Sequence, residues 1–401
     1  MQFRRDTLAL TLMLALLTSL GALATDMYLP SLPIIATQFG TSISGVQITL
    51  SLFLIGFAAG QLIYGPFADR FGRRPVLIIA LGIVLVADIA CTLSLSVEVL
   101  MSSRFLQGIG TAGPIVLARS IIRDLYSGKR TGEELAKVAA LMGFVPAIAP
   151  TIGSVIHVYF GWRMIFLSQT ALVLLALMAI VMALPETNTR KRTEPLTLGS
   201  FPKIYMGLTR NRLYLVYVAG TCFSYAGLFS FISVSSFVLQ SIYGWSTFAF
   251  GVAFGACSLA YVLGTWVSRS VVHRHGINAT IRAGSLMLAS SGAIMMALLA
   301  ANLDGPYLTT AAMMVYMAGI GFTLPHNVAG GLTLFPERAG AASSLLGFCQ
   351  MSAGALVGII VGYATLDTSW PMATAIFLAG LLATITSWLY LDSGEPEPVS
   401  G

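Results

Sequence analysis

Three ionisable side chains stand where hydrocarbon is expected. Asp26 lies in "ALATDMYLPSLP" (22–33), at the close of an apolar run, Asp88 sits deep in another, and Arg104 opens "RFLQGIGTAG" (104–113) in a third. Charge inside such runs is costly and marks a functional position by default. Burial favours the neutral form of a carboxylate and a neighbouring cation favours the charged form. A carboxylate between those influences can therefore bind and release a proton as its surroundings change, and a second ligand competing for it would be exchanged for the proton. Asp26, beside helix-breaking Pro30 and Pro33, is the first choice for this role, with Arg104 as its partner and Asp88 as the alternative carrier. The competing reading of Asp26 is an interfacial cap at the end of its run, and Arg104 is placed within snorkelling reach of an interface.

The elements that must position these groups follow from composition. Of the 401 residues, 56% are hydrophobic and only 9% charged, against about a quarter charged in soluble domains, and the mean hydropathy is +0.84. The class is all-α integral membrane. A spanning helix needs about 20 mostly apolar residues, and twelve stretches qualify: 7–29, 45–67, 75–95, 98–121, 134–157, 163–184, 211–238, 246–270, 278–301, 306–330, 339–363 and 370–392. "MQFRR" followed by an apolar run and "ALA" imitates a signal peptide, but the run exceeds the usual h-region of about 7–15 residues, so a retained first span is expected. Of the 22 basic residues, all but Arg104 and Arg163 fall on the side of the even-to-odd loops. The positive-inside rule then places both termini in the cytoplasm.

The polar stretch "ETNTRKRTEPLTLGSFPK" divides the chain into an N-terminal six-helix bundle (1–184), a cytoplasmic linker (185–210) and a C-terminal six-helix bundle (211–401). Echoes between the halves support pseudo-symmetry: "GPFADRFG" (65–72) with "GTWVSRSVVHRHG" (264–276), "GIG" at 108–110 and 319–321, and "LMGF" (141–144) with "LLGF" (345–348). Paired halves around a midplane site are a transporter plan. The C-terminal half has no charge of this kind in its spans. It offers aromatics and amides, among them Phe223, Tyr225, Phe229, Phe231, His326, Asn327 and Gln350, and an apolar pocket with few polar groups suits amphipathic small molecules. Cys91, Cys222, Cys257 and Cys349 share no metal-like spacing and read as packing residues. The basic residues form short tufts, not a stripe with interleaved aromatics, so no nucleic-acid partner is expected. No phosphate-binding glycine loop, metal cluster or nucleophile triad points to an enzyme.

Several segments carry a resemblance. "GPFADRFGRRP" (65–75) resembles the G-x-x-x-D-R-x-G-R-R signature loop of the major facilitator superfamily, and "RFLQGIGTAG" its R-x-x-Q-G-x-G motif. In this loop Gly65 is expected to let two helices approach and Gly72 to permit the turn, with Asp69 pairing with arginine or meeting a helix N-terminus to hold one side shut. "LMGFVPAIAPTIGS" (141–154) is similar to the antiporter motif of the superfamily's drug exporters, with Gly143, Pro146, Pro150 and Gly153 kept, and with Ala149 and Ser154 in place of two glycines. "DMYLPSLP", "GFAAGQLIYGPFADRFGRRPV", "RDLY" (123–126), "APTIGS", "AGAASSLLGF" and "TSWPM" together resemble the bicyclomycin/chloramphenicol-resistance group, Bcr/CflA. That resemblance implies a proton-driven, alternating-access exporter of small drugs in a bacterial inner membrane, monomeric and needing no cofactor beyond the proton gradient. It implies a role for Asp26 in substrate or proton binding and for Arg104 in coupling; the residues themselves add Asp88, Tyr28, Tyr225, Phe229, Asn327 and Gln350 as candidate proton- or substrate-binding positions. Gating falls to Gly65, Asp69, Arg70, Gly72, Arg73, Arg74, Arg123 and Asp124. A proton-coupled transporter of a physiological metabolite, a sugar or amino-acid derivative, is the alternative.

Overall fold

The computed structural model describes residues 7–126, 129–188, 200–335, 338–364 and 368–391. Helices follow one another without a strand among the described residues: α1 Leu8–Asp26, a 3-10 turn Leu29–Ser31, α2 Leu32–Phe39, α3 Ile43–Phe71, α4 Arg73–Thr92, α5 Val97–Leu125, α6 Lys129–Phe160, α7 Arg163–Ala183, α8 Ser200–Thr209, α9 Arg212–Phe237, a π-helical turn Val238–Ile242, α10 Thr247–Ala300, α11 Pro306–Thr333, α12 Ala339–Tyr363 and α13 Trp370–Tyr390. Polar side chains start several of them by accepting a backbone N–H that the helix itself leaves free. Ser96 accepts from Val99, Asn211 from Tyr214 and Ser246 from Ala249.

Eleven described helical stretches are long and apolar enough to cross a membrane, where twelve spans were expected. The eighth and ninth expected spans run together in α10, broken only at Gly276 (φ 80°, ψ 174°). That backbone region is open almost solely to glycine, so one residue separates two spanning segments without a loop. The first span also departs from expectation. It does not finish near residue 29 but breaks after Asp26 and resumes as α2, giving an apolar stretch over Leu8–Phe39. Pro30 and Pro33 sit in the first positions of the turn and of α2, where a missing N–H leaves no helical bond unmade.

The chain forms two compact units, Met1–Thr41 with Leu52–Leu196, and Ser42–Ser51 with Thr197–Gly401. Residues 42–51, expected in the N-terminal bundle, group with the second unit, where the Gln47 side chain donates to the Ser233 carbonyl at 3.1 Å. Of the expected linker 185–210, residues 189–199 lie outside the described part, as do 1–6 and 392–401. In the first unit α4 packs on α5 and α7, and α1 on α5 and α6. In the second, α10 packs on α11 and α13, and α9 on α11, α12 and α13. Large apolar side chains such as Ile79 and Leu175 in the first unit and Leu263 and Ile360 in the second are more than half exposed, as lipid-facing positions are.

Small residues set the helix spacing in the first unit. A Cβ at Gly108 would fall 2.0 Å from the Phe53 carbonyl oxygen, and one at Gly56 would fall 2.1 Å from that of Phe105, so α3 and α5 touch backbone to backbone. Gly65, expected to serve such an approach, does not: a Cβ there would meet nothing within 4 Å. The contact is made by the glycines earlier on α3.

Candidate functional site

α5 brings Arg104, its eighth residue, into the interior of the first unit, and the side chain is fully buried. It does not snorkel. Its Nη1 donates to the Ala24 carbonyl of α1 at 2.9 Å and to Oε1 of Gln107, one turn along the same helix. Its Cζ lies 4.5 Å from the ring centre of Phe53, 4.8 Å from Tyr28 and 5.8 Å from Phe166. Three aromatic faces and one carbonyl thus surround the cation, and this replaces part of its lost hydration. Nε and Nη2 have no hydrogen-bond partner.

The partner expected for Arg104 was Asp26, but no hydrogen bond or ion pair joins the two among the described residues. Arg104 is linked instead to Asp88, through Gln107. The Gln107 amide accepts from the guanidinium at Oε1 and donates from Nε2 to Asp88 Oδ1. Nε2 also donates to Gln169 Oε1 of α7 at 3.1 Å, and Gln169 Nε2 donates to the Leu23 carbonyl at 3.1 Å. Four helices are thereby strung together by one polar chain, Asp88 (α4), Gln107 and Arg104 (α5), Gln169 (α7) and the Leu23 and Ala24 carbonyls (α1). Asp88, Gln107 and Arg104 are each fully buried. Asp88 Oδ2 is left without a partner. Asp88, Gln107, Gln169, Thr111, Leu23 and Ala24 line a small cavity.

Asp26 is buried at the end of α1, at the helix break. The next residue, Met27, lies against α6: a Cβ at Gly153 would fall 2.1 Å from the Met27 carbonyl oxygen. Of the antiporter-motif residues, Gly153 is therefore the close-packing position beside Asp26. Gly143 is not, with nothing within 4 Å of a Cβ. Pro146 and Pro150 both lie within α6.

At the α3–α4 turn, Arg73 bridges two carboxylates. Nη1 reaches Asp69 at 2.6 Å and Nε reaches Asp124 at 3.0 Å. Asp69 thus pairs with arginine, the first of its two expected settings. The helix N-terminus of α4 is met by Glu186 instead, whose oxygens accept from the backbone N–H of Arg73 at 2.8 Å and of Arg74 at 3.2 Å. Gly72 adopts φ 106°, and a Cβ there would fall 2.3 Å from Glu186 Oε2. The turn therefore needs glycine for both its backbone and its neighbour. Asn188 donates to the Ala68 and Asp69 carbonyls, Thr187 to Asp124, and Arg74 to the Val181 carbonyl. Arg123 donates to Ser120, and Arg70 lies over Phe71.

Sequence reasoning passed over Gln169, Glu186, Asn188 and Glu134, and held Gln107 only as part of the R-x-x-Q-G-x-G motif, with no role of its own. Glu134 is buried and holds Lys137 at 2.6 Å. A signal for Gln107 was available: three residues past Arg104, it shares that residue's helix face.

In the second unit Phe229 is buried against Gly358 and stacks on the half-buried Tyr225 at 6.2 Å. Asn327 is buried with its Nδ2 unpartnered, close to Gly220, and His326 Nδ1 meets the Phe322 carbonyl at 2.9 Å. Gln350 is half-buried. Tyr217 donates to Asn278 at 2.8 Å and Tyr316 to the Ser224 carbonyl at 3.1 Å.

Residues 14–359 match the family described as Major Facilitator Superfamily. Among curated relatives, the chain is 30% identical to a bicyclomycin resistance protein homolog of Haemophilus influenzae, covering 97% of each chain. It is 29% identical to a chloramphenicol resistance protein of Pseudomonas aeruginosa, covering 92% of this chain and 88% of the relative. Among solved structures it is similar in fold to a D-xylose–proton symporter, at 18% identity and a TM-score of 0.73, covering 97% of this chain and 99% of the other.

Proposed function

Because the chain belongs to the Major Facilitator Superfamily and is a multi-pass membrane transporter, not an enzyme, we propose that it exports small amphipathic compounds, phenicol- or bicyclomycin-like, in exchange for protons. In this reading it works as a monomer in a bacterial inner membrane, with both termini cytoplasmic, and alternates access to one central site. The drug class rests on the names of the relatives at about 30% identity over nearly the full length. The observation that carries proton exchange is the buried polar chain of the first unit, in which a carboxylate is joined to Arg104 within helices otherwise packed with apolar side chains. A buried charge pair costs several kcal/mol of desolvation per ion, and a proton-coupled cycle has a use for it. The turn at Asp69, Arg73, Asp124 and Glu186 suits a latch that opens once in each cycle.

The test is a compound-susceptibility screen in an exporter-deficient bacterium expressing the chain, repeated with a protonophore. The expected result is raised tolerance to phenicol- or bicyclomycin-class compounds that the protonophore abolishes. Unchanged tolerance to every compound, with accumulation or loss of a sugar or amino-acid derivative, would transfer the chain to metabolite transport.

A further inference from the structure

We propose that Asp88 is the residue that takes up and releases the transported proton, and that Gln107 is the positioning residue that conveys its charge state to Arg104. The inference rests on the proton-exchange reading above and names the carrier within it.

The geometry separates the two carboxylates. Asp26 has no hydrogen bond or ion pair to Arg104 among the described residues, so no bonded chain of side chains joins its charge to the cation. Asp88 is coupled through a single amide whose two ends face opposite charges. With Asp88 ionised, Gln107 is polarised in one sense along its length, accepting at Oε1 from the cation and donating at Nε2 to the anion. Gln169 accepts the second Gln107 N–H, which prevents the amide from flipping. Asp88 Oδ1 is occupied by this bond, whereas Oδ2 is buried and has no partner. The proton therefore goes to Oδ2. It arrives from water when the site is accessible from one side and leaves to water when it is accessible from the other, while Arg104 stays charged throughout. The small cavity that Asp88 lines provides a place for the water that hands it over.

The groups around Asp88 leave it as the one carboxylate in this arrangement. Arg104 faces it from α5, its own helix offers Cys91 one turn along, and α7 offers the neutral Gln169. Arg163, at the start of α7, is bound to the Ser94 carbonyl beyond the end of α4. On α1 the only titratable residue is Asp26, two residues past Ala24, with Tyr28 beyond it against the Arg104 guanidinium. When Asp88 becomes neutral, Arg104 loses its counter-charge. The acceptors left to the guanidinium are Gln107 Oε1 and the Ala24 carbonyl, the latter just before the break in α1. The protonation state is thereby conveyed to the hinge-like end of α1.

The experiment is infrared difference spectroscopy of the full-length protein, reconstituted in phosphatidylethanolamine/phosphatidylglycerol vesicles and titrated with pH without substrate. Wild type is expected to show a titrating carboxylic-acid C=O band, with a component lost in Asp88→Asn, kept in Asp26→Asn and restored by Asp88→Glu. Gln107→Leu, which retains the carboxylate, is expected to move that component's midpoint by about one pH unit, since it removes a hydrogen bond to one protonation state. Amide bands and size-exclusion profiles check folding. A titrating band unaltered in both Asp88→Asn and Gln107→Leu, a band lost in Asp26→Asn instead, or no titrating band at all would overturn the assignment. None of these readouts involves a transported compound. A failed susceptibility screen beside an Asp88-dependent band would sink the drug-exporter reading and leave the carrier assignment standing.

Discussion

The interiors of the two units solve the same packing problem with different chemistry. In the first, Asp26, Asp88, Arg104 and Glu134 are buried among the helices. In the second, no aspartate, glutamate, lysine or arginine among the described residues is buried. Its interior polar contacts are neutral: Tyr214 to the Ala342 carbonyl at 2.7 Å, Tyr217 to Asn278, Tyr316 to the Ser224 carbonyl, and Ser285 with Ser387 at 2.9 Å. Glycines bring helices together in both, at Gly108 against Phe53 and at Gly264 against Ala318, where a Cβ would fall 2.3 Å from the carbonyl oxygen. The second unit thus demonstrates that helices of this kind pack without internal charge. The first unit therefore bears a desolvation cost that the second does not.

The hardest blow to that contrast is removal of its cation. Arg104→Ala should leave Gln107 and the Ala24 carbonyl without their donor and Asp88 without its counter-charge. A buried pair broken in this way costs about 3–5 kcal/mol. Compound export measured at matched membrane abundance should fall at least about a hundredfold, and wild-type rates would return Arg104 to a packing role. Next in size is Gly72→Ala, where the φ of 106° and the contact with Glu186 act together. Strain of about 1–3 kcal/mol should appear as a lowered melting temperature in detergent. Asp69→Asn removes one of the two carboxylates on Arg73 and leaves Asp124 in place. Export should slow by roughly threefold to tenfold with unchanged compound affinity in an equilibrium binding assay; equal loss of affinity would argue against a latch. The smallest effect is expected in the second unit. Asn327→Ala removes an amide whose Nδ2 is already unpartnered, so stability should change by about 1 kcal/mol or less. Protonophore sensitivity should persist while the ranking of exported compounds shifts. Loss of proton coupling in this variant would erase the distinction between the units.

The same contrast governs what was legible in the chain itself. Asp26, Asp88 and Arg104 stand out because charge in an apolar run is anomalous wherever it falls. Gln169 does not, and Gln107 does so only as a motif position, because a neutral amide is unremarkable in a helix until its two ends are seen to face a cation and an anion. Glu186 and Asn188 read as the start of a polar linker, although they close the α3–α4 turn from more than a hundred residues away. Gly65 was assigned the close approach that Gly56 and Gly60 make, since spacing identifies a glycine face but not which neighbour lies on it. The echo between the two halves was informative at its turning residue: Gly72 and Gly276 share a backbone conformation, at φ 106° and φ 80°.

Hydropathy and charge bias, which are sums over local composition, were enough to establish the class of the protein, the number of spanning segments and the side chains that do not belong in lipid. They are one-dimensional properties, and each residue contributes to them independently of its fold. Which charge meets which was decided only by the tertiary structure. Pairing across helices depends on the rotation and depth of each helix, set by glycine contacts and by breaks such as those after Asp26 and at Gly276. A turn of one helix by a single residue, about 100°, would part Gln107 from Asp88. For that reason Arg104 found its carboxylate through an amide on its own helix, and not in the aspartate that looked most conspicuous along the chain.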